Sequence, residues 1–210
     1  MTPAALKHLA AVDPVMRKLI REIGTCELEP ETRRSPFQSL VLAVAHQQLH
    51  ATAAGNILGR FKKLFPGRKF PKPEDLAKVT DEQLRACGFS FNKIKAIRDI
   101  TEKTLSGVVP SARQIVKLSD DEIIARLTKV RGVGRWTVEM LLIFQLGRED
   151  VLPADDFGVR SGFRVAYKKR EMPMPKELLA FGESWKPHRT TAAWYLWRAA
   201  DAAKDAKKKK

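Results

Sequence analysis

The chain has 210 residues, 39 of them Lys or Arg and 24 Asp or Glu, which gives a net charge of +15. Its 44% hydrophobic content excludes wholesale disorder, and its longest apolar stretches, 40–45 and 140–144, fall far short of the roughly 18 residues a membrane span needs. The cationic excess is larger than solubility requires, so a polyanionic partner is expected on one large domain or two small lobes.

In chain order, MTPAALKHLAAVDPV lacks the charged-then-apolar plan of an export signal, because Lys7 and His8 interrupt any apolar core. An intracellular protein is expected, in the cytoplasm or nucleoid, or in the nucleus of a eukaryote. Asp13-Pro14 reads as the cap and first residue of a helix whose Val15, Met16, Leu19, Ile20 and Ile23 share a face until Gly24. The segment 37–49 is apolar nearly all round and predicts a buried helix. Helix is expected again over 51–65, followed by a proline-rich loop over 66–73. Thr80 with Gln83 and Ser119 with Glu122 form capping boxes, each starting a short helix. Between them Ile94, Ile97, Ile100 and Leu105 mark a helix over 93–105, closed by a turn at 107–111. Apolar 136–146 and Trp-rich 185–203 supply the last helices. Strand-like runs joined by a tight turn do not occur, so the fold class is all-α.

The segment KDAKKKK carries a net +4 and leaves +11 on the other 203 residues, so the charge excess belongs to the folded body. Residues 1–203 are expected to fold, and 204–210 to form a disordered basic tail. Cys26 and Cys87 stand 61 positions apart, too few and too distant for a zinc knuckle or an iron–sulfur cluster, and read as buried thiols.

Two segments carry chemistry. LTKVRGVGRWT (127–137) follows a capped helix and opens an apolar one, so Gly132 and Gly134 mark a tight hairpin between helices. Such a turn aims helix N-terminal amides at an anion, and phosphate held by the backbone is the favoured ligand. A dinucleotide fingerprint is excluded, since Thr137 replaces the third glycine and a helix precedes the turn. Downstream, Val151 to Arg160 contains Asp155-Asp156. One carboxylate is free to cap the helix starting near Phe157 while the other projects into a cavity. In so cationic a chain, a carboxylate near a nucleic-acid surface needs a chemical task.

PFQSLVLAVAHQQL (36–49), GFSFNKIKAI (88–97), the run 127–144 and VLPADDFGVRSGF (151–163) together resemble the helix-hairpin-helix DNA glycosylase superfamily, most closely its 3-methyladenine DNA glycosylase II branch. The likeness spans Asp13 to Ala200. It implies an all-α, two-lobed fold with a cleft between the lobes and no N-terminal β domain. It also implies flipping and excision of cationic N-methylated bases, such as 3-methyladenine and 7-methylguanine, from double-stranded DNA by a monomer. By position in the block, Asp156 is similar to the family's catalytic aspartate. Trp136 stands where strand-cutting relatives carry a lysine, so hydrolysis to an abasic site without lyase activity is implied. Trp136 and Trp197 match the aromatic walls of the base pocket, with Met140, Phe157 and Phe37 around them. Met140 sits where some relatives have an aromatic. Leu49, or alternatively Gln48, matches the wedge that fills the duplex gap, and His50 the minor-groove contact; His46 reads as a core histidine bonded to backbone. Gly132, Gly134, Arg135 and Thr137 match phosphate donors, while the carbonyls of Thr128, Val130 and Val133 match a Na+ or K+ site. Catalytic cofactors and an iron–sulfur cluster are not expected. Two alternatives stay open: a non-catalytic DNA-binding protein, and a glycosylase of the superfamily for mismatched, oxidised or etheno bases.

Overall fold

The computed structural model describes residues 2–208, which form thirteen α-helices with no strand among the described residues. They divide into two compact units: one takes the chain up to residue 31 and from 142 onward, the other Thr32–Leu141.

In the first unit, local capping sets the opening pair of helices. Thr2 caps α1 (Pro3–Val12) and Asp13 caps α2 (Pro14–Ile23), each with Pro at the first helical position. Asp13 is itself buried. Its Oδ1 accepts from the Val15 and Met16 amides at 2.8 and 3.2 Å, and its Oδ2 accepts from the Trp185 indole at 2.9 Å and from the Tyr167 hydroxyl. Four donors offset the cost of burying a carboxylate. Burial, with the Asp13 carboxylate beside it, pushes the Tyr167 hydroxyl far above its ordinary titration range. After a segment ending at Asp156 come α11 (Phe157–Ala166), α12 (Pro175–Phe181), a 3-10 turn (Gly182–Trp185) and α13 (Arg189–Lys208). Helix α11 lies so close to α13 that a Cβ on Gly162 would fall 1.8 Å from the Leu196 carbonyl oxygen.

The second unit holds α3 (Pro36–His46), α4 (Ala51–Lys63), α5 (Pro73–Leu76), α6 (Asp81–Ala86), α7 (Phe91–Leu105), α8 (Ala112–Ile115) and α9 (Asp120–Leu127). Both expected capping boxes form, at Thr80 and at Ser119. Leu40, Val41 and Val44 of α3 and Ile94, Ile97 and Ile100 of α7 are buried where these helices pack. Phe61 gathers Phe65, Phe70 and Phe89 around it at 5.3, 5.9 and 5.6 Å between centroids. Helix α10 (Arg135–Phe144) opens here, and the division at 141/142 falls inside it.

Several expectations need correction. Helix α3 stops at His46, because Gln47 is extended and Gln48 adopts a left-handed φ of 55° that no helix continues through. The expected disordered tail is helical through Lys208, its alanines and lysines continuing the favourable composition of α13, and 209–210 lie outside the described residues. Helix α13 itself begins at Arg189, since Trp185 belongs to the 3-10 turn and Pro187 lacks an N–H to donate. Phe37, expected in a base pocket, is 4% exposed and packs edge-on against Phe70, so it is a core side chain. His46 does bond backbone, Nδ1 to the Leu42 carbonyl at 2.8 Å, yet is exposed rather than in the core. Cys26 and Cys87 are free and buried, as expected, and burial pushes both thiols above their ordinary value.

Candidate functional site

Asp156 closes the segment that follows α10, and that segment is tied to the start of α13. Thr190 donates from Oγ1 to the Arg148 carbonyl at 2.7 Å and accepts from the Val151 amide at 2.9 Å. Arg189 grips Asp150 with Nε at 2.7 Å and a terminal nitrogen at 2.9 Å. Seven residues beyond Thr190, on the same helical face, comes Trp197. Its indole Nε1 donates to Asp156 Oδ1 at 2.7 Å, and the same oxygen accepts the Val159 amide at 2.8 Å as the N-cap of α11. Asp156 is the residue that caps the helix, and it also takes the Trp197 indole, while Asp155 is exposed. The ring of Trp197 stacks on Phe144 at 5.6 Å and 26°, and Phe157 beside Asp156 is 62% exposed.

Two glycines make this arrangement possible. A Cβ on Gly158 would meet Trp197 Cδ1 at 2.8 Å, Asp156 Oδ1 at 3.0 Å and Trp197 Nε1 at 3.1 Å; Gly162, one turn on, permits the contact with Leu196. Neither was singled out from sequence. The signal was available, because two glycines four apart in a helix each cost about 1 kcal/mol relative to Ala and so call for a packing reason.

The hairpin residues belong to the other unit. Gly132 has φ +77° and would place a Cβ 3.0 Å from the Ala96 Cβ, so only glycine suits it. The Arg131 amide donates to Asp99 Oδ2 at 2.6 Å, and Lys103 pairs with the same carboxylate. Burial pushes the Asp99 carboxyl up, but the Arg131 amide and the Lys103 ammonium outweigh it and hold it below the ordinary range. Gly132, Gly134 and Arg135 are exposed, with Arg135 Nε on Glu139 at 2.9 Å, whereas Thr137 is buried. Among the carbonyls expected around a cation, that of Val130 already accepts the Val133 amide at 3.1 Å.

Helices α3 and α4 are joined by Gln47 to His50. Gln48 and His50 are exposed, and Leu49 is 39% exposed, so Leu49 is not the helix core residue its sequence context allowed. Lys93 and Gln47, which sequence reasoning passed over, fasten this loop. Lys93 Nζ donates to the Ala45 carbonyl at 2.8 Å, and Gln47 Nε2 donates to the Gly132 carbonyl at 2.9 Å. Burial lowers the Lys93 ammonium's tendency to stay charged. A cavity of about 580 Å³ lies within this unit, lined by residues that include Gln48, Asn92, Lys93, Arg131 and Trp136. Trp136 is 46% exposed rather than packed in a core, and Met140 is half-buried. Among the described residues no helix is long and apolar enough to cross a membrane.

A family model for the HhH-GPD superfamily of base excision DNA repair proteins matches residues 41–188. This chain belongs to that superfamily. Among HhH-GPD proteins it is 42% identical over 197 residues to DNA-3-methyladenine glycosylase 1 of Schizosaccharomyces pombe, covering 93% of this chain and 86% of that one. The solved structure of that yeast's 3-methyladenine DNA glycosylase (Mag1) in complex with abasic DNA superposes with a TM-score of 0.82 and covers 93% of this chain and 95% of its own. A DNA-3-methyladenine glycosidase structure from Bacillus halodurans is 36% identical, with a TM-score of 0.87, covering 97% and 92%. The all-helical HhH-GPD fold is thus the expected one.

Proposed function

We propose that this HhH-GPD protein is a monofunctional DNA glycosylase that extrudes cationic N-methylated bases, such as 3-methyladenine and 7-methylguanine, from double-stranded DNA and hydrolyses the N-glycosidic bond, leaving an abasic site for base excision repair. The observation that carries it is the carboxylate of Asp156, oriented by the Trp197 indole and the Val159 amide. Two S. pombe relatives, 42% and 34% identical, are named DNA-3-methyladenine glycosylase 1 and alkylbase DNA glycosidase-like protein mag2, which supports the substrate class.

The chemistry needs one acid. As the C1′–N bond breaks, its electron pair leaves with the methylated base, whose positive charge is thereby neutralised. The deoxyribose gains oxocarbenium character, and a fixed negative charge stabilises it where water is scarce. Water then adds to C1′ and gives up a proton. The N-cap bond and the indole bond hold Asp156 without reorganisation during the step, which is the condition for electrostatic stabilisation. Trp197, beside Asp156, would offer the extruded base an electron-rich face that favours a cationic ring, with Phe157 next to it in the same unit. Trp136 at the lysine position of strand-cutting relatives forms no Schiff base, which supports hydrolysis alone.

Gly132, Gly134 and Arg135 would hold backbone phosphate, and the exposed loop of Gln48, Leu49 and His50 would enter the gap left by the extruded nucleotide. The carbonyls of Thr128, Val130 and Val133, hard neutral oxygens with at least one lone pair each to offer, would hold a Na+ or K+ ion whose charge adds to phosphate attraction. The protein would work as a monomer wherever the cell keeps its DNA.

Duplexes carrying 3-methyladenine, 7-methylguanine, 1-methyladenine, ethenoadenine or 8-oxoguanine, incubated with wild type and Asp156→Asn, test the reading. Release of the first two by wild type, and loss of release with retained binding in Asp156→Asn, is expected. Release of 8-oxoguanine alone overturns the substrate class, and an unchanged Asp156→Asn overturns the mechanism.

A further inference from the structure

The loop 47–50 and the glycine hairpin are far apart in sequence, yet a single side chain spans them. Gln47 leaves the C-terminus of α3 and donates from Nε2 to the carbonyl of Gly132 at 2.9 Å. Gly132 is the residue whose left-handed φ shapes the hairpin and where a side chain would run against Ala96. A bond to its carbonyl fixes the peptide plane leading into Val133, and with it the approach to the exposed residues Gly134 and Arg135. At its other end, Gln47 is the last residue before Gln48, whose φ of 55° turns the chain outward. Lys93 secures the same turn from behind through the Ala45 carbonyl at 2.8 Å, at the end of α3 where a cation suits the helix dipole. The loop is therefore registered to the hairpin by one hydrogen bond, and the end of α3 that launches it is held to α7 by another.

We infer that Gln47 is a positioning residue that couples phosphate capture by the hairpin to insertion of the Gln48–Leu49–His50 loop, so that seating the hairpin on the backbone delivers the loop into the helix at a fixed offset. This rests on the glycosylase reading above. Gln47 touches neither base nor reacting sugar in this scheme. Its amide is spent on Gly132, and its loss leaves phosphate contacts in place while the loop wanders. A misplacement of about 1 Å in a positioning element is enough to cost a large factor in rate.

The experiment compares wild type, Gln47→Met, which keeps length and packing but cannot donate, and Gln47→Lys, which keeps a donor of similar reach. Three quantities are read: duplex affinity and its salt slope, extrusion reported by 2-aminopurine beside an abasic analogue, and single-turnover release of 7-methylguanine. Gln47→Met is expected to keep the wild-type affinity for undamaged duplex and its salt slope, because no phosphate contact is removed. Its extrusion signal and release rate should each fall by about fivefold or more, the factor one hydrogen bond governs, and Gln47→Lys should recover most of both. Unchanged extrusion and release in Gln47→Met overturn the inference. So does a proportional fall in affinity and salt slope, which would make Gln47 a direct DNA contact, and so does a Gln47→Lys as defective as Gln47→Met. If wild type extrudes but releases no base, the glycosylase reading fails and the extrusion comparison still decides the role of Gln47. If wild type does not extrude at all, both fall.

Discussion

Replacing Gly158 with Ala adds one methyl group beside the pairing of Asp156 and Trp197. The new Cβ would stand 2.8 Å from Trp197 Cδ1 and 3.0 Å from Asp156 Oδ1. Carbon atoms rest at about 3.5 Å or more, so the indole must retreat by about 0.7 Å or tilt. A retreat of that size stretches the 2.7 Å bond between Nε1 and Oδ1 past the limit of a good hydrogen bond. Stability responds in two directions. Alanine in a helix gains about 0.5 to 1 kcal/mol over glycine, and the loss of a bond to a charged acceptor costs about 1.5 to 3 kcal/mol. The net is a modest destabilisation of about 1 to 2 kcal/mol, which leaves a folded protein. Under the proposed mechanism catalysis should suffer more, by about 10- to 100-fold, since the carboxylate proposed to stabilise the developing sugar charge has lost its orienting partner. Single-turnover release of 7-methylguanine, with Tm measured in parallel, checks both. A Gly158→Ala protein that releases base at the wild-type rate would refute the claim that the indole positions Asp156.

Gly162→Ala places a methyl group 1.8 Å from the Leu196 carbonyl oxygen, an overlap that a small side-chain shift does not relieve, so α11 and α13 must separate. Overpacking on this scale costs about 3 kcal/mol or more, and a thermal melt should show Tm falling by about 6 °C or more. Asp99 supplies a pH signature. Its carboxyl titrates below the ordinary value of 3.8 in the folded chain, so its stabilising contribution is complete above that ordinary value and disappears as pH falls through the lower folded one. Urea unfolding of wild type and Asp99→Asn, followed from neutral pH to below 3.8, should give two curves that draw together once the pH drops under that value, and a constant offset would count against the role given to Asp99.

Much of this architecture could be read from sequence because capping is local. Asp13-Pro14, Thr80 with Gln83, and Ser119 with Glu122 each state a helix start within four residues, and all three form. The hairpin was equally plain from Gly132 and Gly134, and so was a helix cap from the carboxylates before Phe157. Short helices such as α5 and α8, four residues each, passed unnoticed because so few positions show no period. The end of α3 was misplaced for a different reason: 47–49 suits helix by composition, and a backbone turn at Gln48 overrides it. Phe37 looked like a pocket wall only because its block was functional as a whole; the ring of Phe70, distant in sequence, claims it for the core. Gln47 and Lys93 carried no local signal at all. Their partners are backbone carbonyls brought near by folding, and a carbonyl has no letter in the sequence.

Both thiols of this protein are buried, and burial biases each toward the protonated form. Reagents that methylate purines also attack sulfur, and they do so through thiolate. The two thiols of this protein are thus poor targets for such reagents, being both shielded and held protonated.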